Sequence, residues 1–230
     1  MQSRAGWPAG TSRAGTGPLD EPVARRRPQR FARAALLPWG ISLLRPALGI
    51  LLLTWLPAHP ATVLALPATA MAVLSDWLDG RLARAGDCAS EAGRLVDNLC
   101  DCAFLSAAFY GFGRAAVWSD PHWGRAVRYW SGVNWLPLLA TLAAFGAYFA
   151  RWGLCRAIGV SLAPSARGRQ AGVANWALAV TGAVAVLPGV RLGPWVLEPA
   201  FLTVVLLDIT AAVDNLLLAL AAALGRDRRG

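Results

Sequence analysis

Lysine is absent from the sequence, and charged residues of every kind are scarce. Asp, Glu, Lys and Arg together make up 15% of the 230 residues, whereas a soluble globular domain carries about 25%. So few charges cannot coat a water-facing surface, and 56% of the residues are hydrophobic. This composition excludes an ordinary soluble enzyme and a disordered protein, and it favours a protein with several membrane-spanning helices.

Cysteine is also scarce, with four in the chain. They form no Cys-x-x-Cys pair, so neither a disulfide framework nor a zinc site is indicated. All 22 basic residues are arginines, and the net charge is +9. Because these arginines lie between apolar segments, we interpret them as contacts for anionic lipid headgroups or phosphates, and we predict no nucleic-acid partner.

Six apolar segments come close to the ~20 residues that a membrane-spanning helix needs. They lie at about 41–57, 61–79, 94–112, 130–150, 171–189 and 195–224. We therefore predict an all-α integral membrane protein with six transmembrane helices. A cytoplasmic N-terminus leaves four arginines on the outer side, namely Arg114, Arg125, Arg128 and Arg191. This asymmetry follows the positive-inside rule, so both termini are predicted to be cytoplasmic.

The segment before the first apolar run is polar and rich in arginine. We predict that residues 1–35 form a largely disordered cytoplasmic tail, that 36–224 form the membrane domain, and that 225–230 form a basic C-terminal tail. The stretch from Pro28 to Leu37 has the composition of a basic amphipathic helix that lies on the membrane surface. A solvated basic tail fits this stretch equally well.

Four aspartates lie at or inside the predicted membrane boundaries, where carboxylates are costly and usually functional. Asp76 and Asp79 are three residues apart at the end of the second span, so they share one helix face. Asp97 and Asp101 are four residues apart in the third span and also share a face. Because the two spans are consecutive and antiparallel, their acidic faces can meet at the cytoplasmic edge of the membrane.

Four ionised carboxylates packed together repel one another, and divalent cations relieve this repulsion. Oxygen ligands select hard ions, so we predict Mg²⁺, or Mn²⁺ in its place. Two ions held by one set of carboxylates can clamp a diphosphate group. Gly80, Ala83 and Gly93 leave room for a ligand to approach the backbone, and Arg84 can neutralise phosphate charge.

These residues form a longer pattern with fixed spacing, Asp76-x2-Asp79-Gly80-x2-Ala83-Arg84-x8-Gly93-x3-Asp97-x3-Asp101. The pattern resembles the signature of the CDP-alcohol phosphotransferases (CDP-alcohol phosphatidyltransferases), and all eight specified positions match. Upstream, the segment from Pro38 to Arg45 is similar to the family's first-span opening, with Trp39 in place of Asn and Ser42 in place of Thr. The resemblance covers residues 36–224.

The resemblance implies a metal-dependent enzyme of phospholipid synthesis. In that family the positions of Asp76, Asp79 and Asp97 bind two metal ions, and the position of Asp101 assists with metal and is the proposed general base. Four further positions cradle the cytidine diphosphate, here Gly80, Ala83, Arg84 and Gly93. An alcohol hydroxyl then attacks the β-phosphate of a CDP-linked donor, and CMP leaves.

The acceptor alcohol is less well defined. Four arginines in the predicted cytoplasmic loop between the fourth and fifth spans suit a phosphorylated acceptor, namely Arg151, Arg156, Arg167 and Arg169. We therefore expect CDP-diacylglycerol as donor and a small phosphorylated alcohol, such as glycerol 3-phosphate, as acceptor. The Pro and Lys typical of glycerophosphate enzymes are missing after Asp97. Inositol phosphate and serine are therefore alternative acceptors, and a CDP-amino-alcohol is an alternative donor.

Several residues and alternatives lie outside the motif. Arg45 either contacts a phosphate or extends to the membrane interface, and Asp208 and Asp214 have no assigned role. Two hypotheses from other functional classes are a cation transporter and an inactive membrane scaffold. The complete motif with Arg84 argues against both.

The resemblance also implies a homodimer. The lack of lysine beside abundant Ala and Arg indicates a GC-rich bacterial genome, and hence the plasma membrane.

Overall fold

The computed structural model describes residues 40–85, 90–115, 135–160, 162 and 165–227. Within these ranges the regular elements are all helices, and no strand occurs. They are α1 (Leu44–Trp55), α2 (Ala65–Ala85), α3 (Glu91–Arg114), α4 (Leu136–Ala157), α5 (Ala166–Ala185) and α6 (Pro194–Asp227). The all-α prediction is therefore confirmed. The N-terminal tail, with the amphipathic stretch predicted at 28–37, lies outside the described residues.

Among the described helices, α4 and α6 are long and apolar enough to cross a membrane, judged by length and composition. The segment Gly40–Trp55 is apolar but shorter. The other three helices are less apolar, because α2 and α3 carry the charged motif and α5 contains arginines, Gln, Asn and many small residues. The number of membrane crossings thus stays a prediction.

Local sequence signals explain where several helices begin and end. Ser90 and Ser165 precede α3 and α5, and each hydroxyl accepts a 3.0 Å hydrogen bond from the backbone N–H three residues later. Pro137 lies in the first turn of α4, where a backbone N–H has no partner within the helix. Gly159 follows α4 with a φ of 71°, which glycine adopts without strain.

The helices pack side by side in a closed order, α1, α3, α4, α6, α5, α2 and back to α1. α3 and α5 also contact each other across this ring. The most extensive contacts join α4 to α6 and α1 to α3. The main hydrophobic core lies among α1, α2, α3 and α5, where Phe104, Phe109 and Phe112 are fully buried.

Glycines allow α1 and α3 to approach closely. A Cβ atom added to Gly49 would lie 3.1 Å from the Cα atom of Phe104. One added to Gly111 would lie 2.9 Å from the carbonyl oxygen of Leu52. Small residues at such helix contacts are typical of membrane proteins. Because Gly49 is one turn after Arg45, this close contact also brings the Arg45 side of α1 against α3.

Candidate active site

The four motif aspartates surround the guanidinium group of Arg45, whose side chain is fully buried. The Nη1 atom donates to Asp76 Oδ1 at 3.2 Å and to Asp101 Oδ1. The Nη2 atom donates to Asp79 Oδ2 at 2.5 Å and to Asp97 Oδ1. The structure therefore brings together the two acidic faces predicted on α2 and α3, and it does so through a residue of α1.

The position of α1 explains this arrangement. α1 packs against both α2 and α3, whereas these two helices have few direct contacts with each other in the described ranges. Arg45 lies in the first turn of α1, where it reaches the carboxylates of both neighbours. The ion pairs of Arg45 are thus the main connection between the acids of α2 and those of α3.

The carboxylates differ in how far they are open to a ligand. The Asp79 side chain is only 5% exposed, and its Oδ2 atom also accepts a 2.5 Å hydrogen bond from the Ser42 hydroxyl. The Asp101 side chain is 17% exposed, and those of Asp76 and Asp97 are each 39% exposed. The cluster is therefore closed on the side of Asp79 and open on the side of Asp76 and Asp97.

Three of these aspartates have the geometry of a metal site. Carboxylate oxygens of Asp76, Asp97 and Asp101 lie within 4.8 Å of one another. Their oxygen donors suit Mg²⁺ and Mn²⁺, and one guanidinium cannot balance four carboxylates. The residues present therefore fit a divalent cation. Asp79 does not belong to this group of three. Its Oδ2 atom accepts hydrogen bonds from Arg45 and from Ser42.

The residues predicted to hold the nucleotide border the aspartates. Gly80 directly follows Asp79 in α2 and is half-buried. Gly93 lies in the first turn of α3, where its N–H donates to the Ser90 hydroxyl. Ala83 and Arg84 belong to the end of α2, and their side chains lie outside the described part of the chain.

The four arginines proposed for the acceptor are not equivalent. Arg151 is buried in α4, and its Nη1 atom donates to Asn215 Oδ1 of α6 at 3.1 Å. One turn earlier, the Tyr148 hydroxyl accepts a 3.3 Å hydrogen bond from Asn98, the residue after Asp97. This contact joins the Arg151 segment of α4 to the acid-bearing helix. In contrast, Arg156, Arg167 and Arg169 are exposed.

The sequence assigned no site role to Arg45 or Ser42, although both lie in the segment that is similar to the family's first span. In the structure Arg45 pairs with the motif aspartates, a contact that neither alternative given for it in the sequence, a phosphate contact or the membrane interface, includes. Ser42 and Arg45 are three residues apart, which places both side chains on one helix face. An arginine inside an apolar segment with a hydroxyl on the same face was the available signal.

Replacing Arg45 with glutamine leaves four carboxylates in contact without their shared cation. Removing one partner of a buried ion pair costs about 3–5 kcal/mol, so we expect R45Q in detergent with EDTA to unfold at a clearly lower temperature than wild type. Added Mg²⁺ should stabilise R45Q more than wild type, because the ion supplies the missing positive charge. Thermal unfolding followed by circular dichroism, with and without Mg²⁺, measures both effects.

The matched control is R191Q, since Arg191 is exposed and forms no ion pair within the described ranges. Its melting temperature should equal that of wild type under both conditions. Wild-type stability of R45Q in EDTA would contradict the role given to Arg45.

Comparison with known proteins identifies the family. The family model described as CDP-alcohol phosphatidyltransferase matches residues 35–224 of the 230. Searches of curated proteins and of solved structures find no match. Members of the family are membrane-integral, divalent-metal-dependent phosphotransferases that use CDP-alcohol donors and alcohol acceptors. The resemblance seen in the motif is thus confirmed, and the chain belongs to the CDP-alcohol phosphatidyltransferase family.

Proposed function

We propose that this chain transfers the phosphatidyl group of CDP-diacylglycerol to a small phosphorylated alcohol, such as glycerol 3-phosphate, with release of CMP. The observation that carries the proposal is the convergence of four aspartates from α2 and α3 on one buried guanidinium. Family membership supplies the reaction class. The buried Arg151 supports a phosphorylated acceptor, because a guanidinium recognises phosphate through charge-assisted hydrogen bonds.

The aspartates are the proposed ligands of two divalent ions, Mg²⁺ or Mn²⁺. Asp76, Asp97 and Asp101 would hold one ion, and Asp79 would complete the carboxylate set for the second. Such ions, when bound, neutralise a diphosphate and stabilise the charge on the attacking and leaving oxygens. The open side of the cluster, at Asp76 and Asp97, is where the diphosphate would enter.

Asp101 is the proposed general base. It would accept the proton of the acceptor hydroxyl while that oxygen forms a bond to the β-phosphorus of the donor. The bond from this phosphorus to the bridging oxygen breaks, and CMP leaves with the electron pair. Asp101 is only partly exposed and lies beside the open carboxylates, so a hydroxyl held there would be shielded from water. Positioning and charge neutralisation supply most of the rate in phosphoryl transfer.

Four residues next to the aspartates are assigned to the cytidine diphosphate. Gly80, Ala83 and Gly93 would leave space for the nucleotide beside the helix backbone. Arg84 would pair with its phosphate charge. Their places at the end of α2 and in the first turn of α3 support this assignment, because these segments flank the aspartate cluster.

The membrane arrangement is part of the proposal. Residues 36–224 would form a six-span domain in the plasma membrane, with both termini in the cytoplasm and the aspartates at the cytoplasmic edge. The order of the six described helices along the chain follows the six predicted spans. The domain would act as a homodimer within the lipid that supplies its donor.

Substitution of a single motif aspartate tests the catalytic assignment. D97N and D101N should each lower CMP release from CDP-diacylglycerol by about 100-fold or more, because a metal ligand or a general base is lost. E198Q is the charge-matched control, since Glu198 lies near the start of α6, outside the aspartate cluster. CMP release by purified protein with Mg²⁺ is the measurement, and circular dichroism checks folding. Full activity of D97N would overturn the two-ion assignment.

The acceptor is tested by a panel of glycerol 3-phosphate, inositol phosphate and serine. Release of CMP that glycerol 3-phosphate stimulates and EDTA abolishes supports the proposal. Stimulation by another acceptor, or by diacylglycerol with a CDP-amino-alcohol, keeps the enzyme class and changes the substrate. No release from any donor by folded protein would favour a transporter or an inactive scaffold.

Arg151 should matter for a phosphorylated acceptor. A charge-assisted hydrogen bond contributes about 1.5–3 kcal/mol, so R151Q should raise the KM for that acceptor by about 10- to 100-fold. The KM for the CDP-linked donor should change little. R191Q is the control, and R151K keeps the charge if R151Q folds poorly. Equal acceptor KM values for R151Q and wild type would exclude Arg151 from the acceptor site.

A further inference from the structure

A second polar cluster lies apart from the aspartates, where α4, α5 and α6 meet. It consists of Thr141 on α4, Asn175 on α5 and Asp208 on α6, all three buried, with Thr141 and Asp208 fully buried. Thr141 Oγ1 lies 2.8 Å from Asn175 Oδ1 and 2.7 Å from Asp208 Oδ2. Asn175 Nδ2 lies 2.8 Å from Asp208 Oδ1. Each residue thus contacts both of the others.

These three contacts need three protons. The Asn175 amide supplies one, to Asp208 Oδ1, and the Thr141 hydroxyl has a single proton for its two acceptors. If Asp208 were ionised, one contact would join two lone pairs at 2.7 or 2.8 Å without a proton between them. A proton on Asp208 Oδ2 completes the set, because Asp208 then donates to Thr141 and Thr141 donates to Asn175.

The number of protons that these contacts require does not depend on how the Asn175 amide is oriented. With its oxygen and nitrogen exchanged, Asn175 donates to Thr141, and Thr141 donates to Asp208 Oδ2. The Asn175 oxygen then faces Asp208 Oδ1, which again requires a proton on the carboxyl group. Both orientations therefore need a neutral Asp208.

The surroundings of Asp208 agree with a neutral acid. Its partners from α4 and α5 are uncharged, and no arginine forms an ion pair with it within the part of the chain that the structure describes. A buried carboxylate without a cation is costly. The fully buried position thus favours the protonated form, and with it a hydrogen-bonded ring.

We propose that Asp208 is a protonated acid that closes a ring of three hydrogen bonds, and that this ring sets the positions of α4, α5 and α6. The Arg151–Asn215 contact joins the same two helices, α4 and α6, further along each of them. Asp208 is therefore a positioning residue, which acts through the helix that carries Arg151. The proton on Asp208 does not depend on which alcohol the enzyme uses.

Infrared spectroscopy tests the proton directly. The difference spectrum of full-length wild type minus D208N, recorded at neutral pH in lipid nanodiscs, should contain the C=O band of a protonated carboxyl group. This band should shift in D₂O. A difference spectrum that contains carboxylate bands instead would overturn the proposal, whatever the activity of the enzyme.

Conservative variants test the ring. Asn at position 208 offers one donor and one acceptor, as a protonated Asp does, so D208N should keep the wild-type melting temperature and acceptor KM. D208L and T141V break the ring and should lower the melting temperature. T141S keeps the hydroxyl group, so its melting temperature should be close to that of wild type. If D208N is as damaging as D208L, the negative charge is required and the proposal is wrong.

Discussion

The guanidinium group of Arg45 connects carboxylates from α2 and α3, two helices that have few direct contacts with each other within the described ranges. Arg45 extends from α1 to Asp76 and Asp79 on α2 and to Asp97 and Asp101 on α3. One positive charge against four negative ones keeps the acids in place and leaves an excess of negative charge. This excess is the physical basis of the proposed metal site, because it gives divalent cations a reason to bind where the geometry already exists.

On the opposite side of the bundle, the proposed ring of three hydrogen bonds contains no charged group. Thr141, Asn175 and Asp208 connect α4, α5 and α6 through short polar contacts in the interior. The two sides meet where Asn98 on α3 contacts Tyr148 on α4. A proposed donor site on α2 and α3 and a proposed acceptor site on α4 would therefore be adjacent, as the attack of one substrate on the other requires.

Helical periodicity explains why much of the aspartate cluster was predictable. Spacings of three and four residues place Asp76 with Asp79, and Asp97 with Asp101, on shared faces whatever the tertiary structure. The apolar segments also indicated an all-helical chain. The closed order of the helices was not predictable, because periodicity shows which face of a helix is apolar but not which neighbour covers it.

Arg45 and Asp208 show the same limit at the level of single residues. Each was visible as a charged residue within an apolar segment, yet its partners lie 31 or more positions away along the chain. The role of such a residue depends on which helices meet. Four carboxylates within reach make Arg45 the centre of an ion-pair cluster. Asp208 forms no ion pair within the described residues, which favours a neutral hydrogen-bonding group.

The central claim is that the aspartates around Arg45 bind divalent cations. Electron paramagnetic resonance of Mn²⁺ titrated into purified protein, with CDP present, counts the bound ions directly. The account predicts two ions per chain in the wild type and a loss of tight binding in D97N. Mn²⁺ that remains free in wild type, or that binds equally to D97N, would contradict it.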